Sequence, residues 1–158
     1  MVERTLKDEI KKRDPFACPE QEAALNLTRT ADRLESAFAR LFKERGISGS
    51  QYNVLRILRG AGTALPCLEI AARMITQLPD ITRLVDRLEA SGLVERTRTA
   101  DDRRVVLIRV TEKGLALLAG LDEPLLDLHR RQLGHLSRDE LAELNRLLVK
   151  ARSACQEK

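Results

Sequence analysis

Aromatic side chains are scarce: no Trp, one Tyr and three Phe stand among 158 residues. The core must therefore be aliphatic, which suits packed helices better than a β-sandwich, whose strands favour aromatic and β-branched residues. Cysteine is scarce too. Cys18, Cys67 and Cys155 are too few and too scattered for a disulfide framework or a zinc site. With only His129 and His135 beside them, no metal-ligand cluster is expected, and no cofactor either. No apolar run approaches the roughly 18 residues of a membrane helix. Residues 1–14 are charged throughout and carry no signal-peptide core. These absences point to a cytoplasmic protein that makes no membrane contact. The chain also lacks a Ser-His-Asp set, a Gly-rich phosphate loop and a credible carboxylate pair, so no catalytic residue is assigned and an enzyme is not expected.

What is present is a chain long enough for one domain with a real core, at 43% hydrophobic residues. Lys and Arg number 28 against 24 Asp and Glu, for a net charge of +4. That modest excess permits a nucleic-acid partner without requiring one, and the placement of Arg matters more than the total.

Residues 1–19 read as a charged arm. It is either a partly ordered tail broken by Pro15 and Pro19 or an arm crossing onto a second subunit. A helix over 20–45 follows, with Leu27, Leu34, Phe38, Leu41 and Phe42 on one stripe and Gly46 as its stop. Ser48 and Gln51 have capping-box spacing before a helix that places Tyr52, Leu55 and Leu58 together and ends at Gly60 and Gly62. Pro66 suits the first turn of a short helix to Met74, with Leu68, Ala71 and Met74 inward and Ile70 flanking.

Leu78-Pro79 then starts a longer helix, with Asp80 in its first turn against the helix dipole. Ile81, Leu84, Val85 and Leu88 form its buried stripe. Thr82, Arg83, Asp86 and Arg87 take the other face, and Gly92 caps it. Strands over 93–98 and 105–110 flank a polar tip and make a two-stranded ribbon, which is marginal alone and must lean on the helices. Thr111 caps a helix over 112–132, lined by Leu115, Leu118, Leu121, Leu125 and Leu128. Ser137 and Glu140 box a last helix ending near Cys155.

The plain reading is a mainly α protein with a small β-hairpin wing, that is, a winged helix-turn-helix lobe plus a helical dimerisation region. Such a lobe puts one helix into a DNA major groove. The segment Ile81-Thr82-Arg83-Leu84-Val85-Asp86-Arg87-Leu88-Glu89-Ala90-Ser91-Gly92-Leu93-Val94-Glu95-Arg96, followed by Asp102-Arg103-Arg104 and Thr111-Glu112-Lys113-Gly114, resembles the MarR family of bacterial transcriptional regulators. The likeness extends more weakly over 22–150. It implies a single domain over 20–158, with the winged helix-turn-helix at about 48–111 and dimerisation helices at about 20–46 and 112–155. It further implies a homodimer on a pseudopalindromic double-stranded DNA operator, with repression relieved by a small phenolic ligand or by cysteine oxidation. Leu78-Pro79-Asp80 departs from the small hydroxyl and basic residues usual at that helix start.

Gln77, Thr82 and Arg83 are the candidates for base edges, since Gln pairs with adenine and Arg with guanine. Arg87, a turn further in, is a candidate for phosphate. Arg103 and Arg104 stand at the tip, and the resemblance implies that Arg104 enters the minor groove, where a guanidinium reads width and potential. Asp102 and Asp86 are expected to orient the wing, Asp86 by pairing with a wing Arg. Leu34, Phe38, Tyr52 and Leu55 are candidates to line a ligand pocket, and Cys18 is the candidate redox residue. Two alternatives remain: a redox-sensing regulator acting through Cys18, and a winged-helix protein-interaction module without DNA binding.

Overall fold

The structure is a computed structural model, and it describes residues 4–77, 80–98 and 105–155. Its elements are α1 (Leu6–Glu9), α2 (Pro19–Glu44), α3 (Gly49–Ala61), β1 (Leu65–Pro66), α4 (Cys67–Ala72), α5 (Ile81–Ala90), β2 (Val94–Arg98), β3 (Val106–Val110), α6 (Glu112–Leu133) and α7 (Arg138–Ser153). No described helix is long and apolar enough to cross a membrane.

Local chemistry fixes most helix ends. Ser48 accepts from the Gln51 N–H while the Gln51 side chain accepts from the Ser48 N–H, and Ser137 and Glu140 repeat that box on α7. Gly46, Gly62 and Gly92 take the left-handed conformation at helix C-termini. The core is shared by α3, α4, α5, β3 and α6. Val54, Leu55, Ile70, Val85, Leu88, Ile108, Leu118 and Leu121 are fully buried in it. Each contributes about 1.5–3 kcal/mol by leaving water.

Several expectations need correction. The ribbon is not two-stranded: β1 adds a third strand in the order β1-β3-β2, with Leu65 opposite Ile108 and Pro66 opposite Leu107. Pro66 is thus strand and N-cap, not the first turn of α4, because its extended backbone is already paired. Inside α4 the phase is rotated: Ile70 is fully buried while Leu68 points into solvent. Over residues 67–74, either Cys67-Ile70-Met74 or Leu68-Ala71-Met74 satisfies helical spacing, and packing against the sheet, α3 and α5 takes the first. Asp80 precedes α5 as its N-cap and accepts from the Arg83 N–H at 3.0 Å, instead of sitting within the first turn. Pro19 opens α2 at its N-terminus rather than breaking a helix of the arm. Gly60 lies inside α3.

The arm folds back on its own α2. Leu6 is buried, and the Glu9 carboxylate accepts from Arg29 at 2.8 Å and from Arg33 at 3.1 Å. The outer stretches of the long helices stay uncovered. Leu25 and Leu27 on α2, Leu115 and Leu126 on α6, and Leu147 and Val149 on α7 are exposed, and α7 buries none of its residues.

Candidate nucleic-acid interface

Helix α5 is amphipathic in the sense the site needs. Val85 and Leu88 hold it to the core, with Ile81 and Leu84 half-buried beside them, which leaves Thr82, Arg83, Asp86 and Arg87 on the outer face. Gln77 is exposed just upstream. The structure therefore brings Thr82, Arg83 and Arg87 to the outer face of α5, with Gln77 exposed in the turn before it. Arg83 is not idle there: its Nε lies 3.0 Å from Asp80 Oδ2, so one carboxylate both caps α5 and neutralises that guanidinium. An exposed pair of this kind is worth about 0–1 kcal/mol, so Arg83 can leave it for a base or a phosphate at small cost.

Arg103, Arg104 and Asp102 lie outside the described residues. The strands that carry that tip are described. β2 pairs with β3 from Val94 opposite Val110 to Arg98 opposite Val106, β2 packs on α5, and β3 packs on α3. Asp86 meets an Arg of the wing, and the partner is Arg96 of β2. Arg96 Nη2 donates to Asp86 Oδ1 at 2.5 Å, and Nη1 donates to Glu89 of the same helix. With its side chain 27% exposed, Arg96 forks across two carboxylates one turn apart on α5. It therefore drops out of the pool of cations free for phosphate. Alternation puts Arg96 on the same strand face as buried Val94, but it puts exposed Arg98 there too, so the pattern narrows the choice without making it.

A second joint holds the base of the wing. Thr111 N–H donates to Leu93 O at 3.1 Å, and Thr111 Oγ1 donates to Gly92 O at 2.7 Å. Gly114 N–H donates to Thr111 Oγ1 at 3.1 Å, and Lys113 Nζ donates to Ser91 O at 2.7 Å. The carbonyls of the turn that follows α5 are thus satisfied from the start of α6, and the Lys113 ammonium is placed favourably against the C-terminal end of the α5 dipole. Gly114 is required by space: a Cβ there would lie 2.4 Å from Leu93 O and 2.8 Å from Val110 Cγ2.

Behind the lobe, rings from three helices form a row. The Phe42 and Tyr52 centroids are 4.7 Å apart, Phe38 and Phe42 are 6.4 Å apart, and Phe38 and His129 are 4.8 Å apart. Burial holds the Tyr52 hydroxyl above its usual pKa, partly offset by Arg59 and Arg56. Of the four candidate pocket residues, Leu55 is fully buried core, and Leu34, Phe38 and Tyr52 are half-buried. The Leu34 carbonyl accepts from Gln132 at 3.1 Å. Beside the row, Arg59 binds Asp122 through two hydrogen bonds, at 2.8 and 3.0 Å, tying α3 to α6. Cys18 is exposed at the N-cap of α2 and makes no side-chain capping bond. The Glu20 carboxyl is held below its usual pKa by its own backbone N–H and then by a hydrogen bond from the Cys18 side chain.

The model of the MarR family matches residues 47–106. The multiple antibiotic resistance protein MarR of Salmonella typhimurium is 35% identical over 105 residues, 66% of this chain and 72% of that protein. Among solved structures, a MarR transcription factor from Planctomyces limnophilus is 47% identical, with a TM-score of 0.66, covering 85% of this chain and 98% of that one. A mutant MarR from E. coli, complexed with operator DNA, is 28% identical, with a TM-score of 0.71, covering 94% of this chain and 99% of that one.

Proposed function

This chain belongs to the MarR family of DNA-binding transcriptional regulators, and on that premise we propose that it acts as a homodimeric repressor, gripping a pseudopalindromic operator and released by a small aromatic ligand. The observation that carries this reading is the outer face of α5, where Thr82, Arg83 and Arg87 stand exposed while the opposite face is sealed into the core. The N-terminal part of such a helix reaches base edges, so Gln77, Thr82 and Arg83 read sequence and Arg87 contacts phosphate. Arg104 enters the neighbouring minor groove from the wing tip, with Arg103 contacting DNA beside it. Asp86, through Arg96, sets the wing's angle to α5, and Asp102 orients the tip.

Homodimer formation is supported by what one subunit leaves uncovered. An α7 that buries nothing, together with exposed leucines on α2 and α6, has no intrachain reason to stand as it does. Pairing residues 20–46 and 112–155 of two copies would cover those faces and set two 48–111 lobes on successive half-sites. The aromatic row at the seam of α2, α3 and α6 suits a flat ring, which would enter against Phe38 and Phe42 and press the lobes apart.

Mobility-shift titration on duplex from the protein's own upstream region, over a salt series and with a panel of aromatic acids, tests the proposal. Affinity is expected to fall steeply and log-linearly with salt, and at least one acid is expected to release the duplex. Salt-independent association, or none, would overturn the DNA reading and leave the protein-interaction alternative.

A further inference from the structure

Leu68 and Ile75 are 81% and 82% exposed, against 59% or less for every other exposed large hydrophobic residue among those described. Most of the others lie on α2, α6 and α7, the faces assigned above to the subunit contact. Single surface hydrophobes are ordinary, but these two share one small unit. Leu68 stands on α4 on the side away from buried Ile70, and Ile75 stands in the turn two residues before Gln77 and six before the first residue of α5. Neither subunit pairing nor the core accounts for them. Ile75 is exposed and lies two residues along the chain from the exposed Gln77, in the turn that leads into α5 with Thr82 and Arg83 in its first turn.

We propose that Ile75 is a specificity-determining residue that reads a thymine of the operator through its C5-methyl group in the major groove. The proposal rests on the operator-binding reading and deepens it. The thymine methyl is the distinctive apolar feature among base edges in that groove, and apolar side chains are what recognise it. Gln77 supplies the complementary amide, whose bidentate partner is adenine. An apolar and an amide side chain two residues apart therefore make an A·T-reading pair at the entry to α5, with Arg83 next along the helix. Covering Ile75 with a methyl group removes from water an apolar surface that is 82% exposed among the described residues.

The operator sequence need not be known for the test. A duplex enriched by the full-length protein from a random-sequence pool is scanned by replacing each thymine in turn with deoxyuridine, which removes only the methyl group. At one thymine per half-site, affinity should fall about fourfold, the ~0.8 kcal/mol of one buried methyl-sized group at about 1.4 kcal/mol per decade. Ile75→Ala should be blind to that replacement and keep the wild-type response at every other position. Because Ile75 is exposed, its variant should melt as the wild type does. A wild type indifferent to deoxyuridine throughout overturns the proposal, as does an Ile75→Ala variant that keeps the full methyl effect or weakens equally on every duplex. Failure to enrich any duplex removes the operator reading as well, whereas an enriched but methyl-blind duplex removes only the role of Ile75.

Discussion

Gly114→Ala sets two effects of opposite sign against each other. Ala is the better helix former by about 0.8–1.0 kcal/mol in a helix interior, so propensity alone makes the variant more stable. Space says the reverse. The new Cβ would lie 2.4 Å from Leu93 O, and it must retreat by about 0.6 Å to reach the 3.0 Å that real Cβ atoms keep. Val110 Cγ2, at 2.8 Å, can rotate away, but Leu93 O is backbone and is already the acceptor of the Thr111 N–H. Backing α6 away from it strains that bond and those joining Thr111 to Gly92 and Gly114. Overpacking costs about 1–3 kcal/mol, and each weakened hydrogen bond up to about 1 kcal/mol. After subtracting the propensity gain, the net loss is about 2 kcal/mol. For a chain of this size that lowers Tm by about 4–8 °C. Thermal melts at matched protein concentration measure it, since the Tm of the proposed dimer would depend on concentration. A Tm equal to or above wild type would refute the claim that the close approach of α6 to Leu93 is what Gly114 is for.

Three further outcomes follow from the same geometry. Arg96→Ala should cost under about 2 kcal/mol of stability, being two part-exposed pairs of about 0.2–1 kcal/mol each, yet weaken operator binding because the wing loses its tie to α5. Arg96→Lys, which cannot fork, should recover only part of that binding by mobility shift, and unchanged affinity in both variants would remove the clasp from the mechanism. Arg59 holds the Asp122 carboxyl below its usual value of 3.8, first by hydrogen bonding and then by charge. That stabilisation is present above the ordinary carboxylate range and lost as pH falls through the depressed value. The gap in stability between wild type and Asp122→Asn, about 0.5–1 kcal/mol at neutral pH, should therefore close in acid, as denaturant titrations across pH will report. Arg104→Ala should lower operator affinity and flatten its salt dependence without moving the melt; an unaltered titration would remove the wing tip from the proposal.

The sequence was most legible where a signal is local. Ser48 with Gln51, Ser137 with Glu140, Thr111 and Gly92 each mark a helix end with side chains a few residues apart, and each lies where spacing put it. The stripe of α5 was legible for a related reason: ten residues give a 3.6-residue period enough turns to fix its phase. The six residues of α4 do not, and the phase that exposes Leu68 was decided by the tertiary packing of α4 on the sheet, α3 and α5. β1 was hidden because a two-residue strand has no periodicity, and its existence depends on Leu107 and Ile108, more than forty residues away. The Arg96 clasp was half visible. Asp86 was expected to find a wing Arg, but which one depends on β2 folding back against α5, and no spacing rule encodes that.

The row of rings running from His129 through Phe38 and Phe42 to Tyr52 has a practical corollary. The chain has no tryptophan and a single tyrosine, so its near-ultraviolet emission comes from one phenol, stacked 4.7 Å from Phe42 at the junction of α2 and α3. An unlabelled protein thus carries its own fluorophore at the place where an effector is proposed to wedge. Intensity and anisotropy of that lone emitter can follow the opening of the seam in real time, with no dye to disturb it.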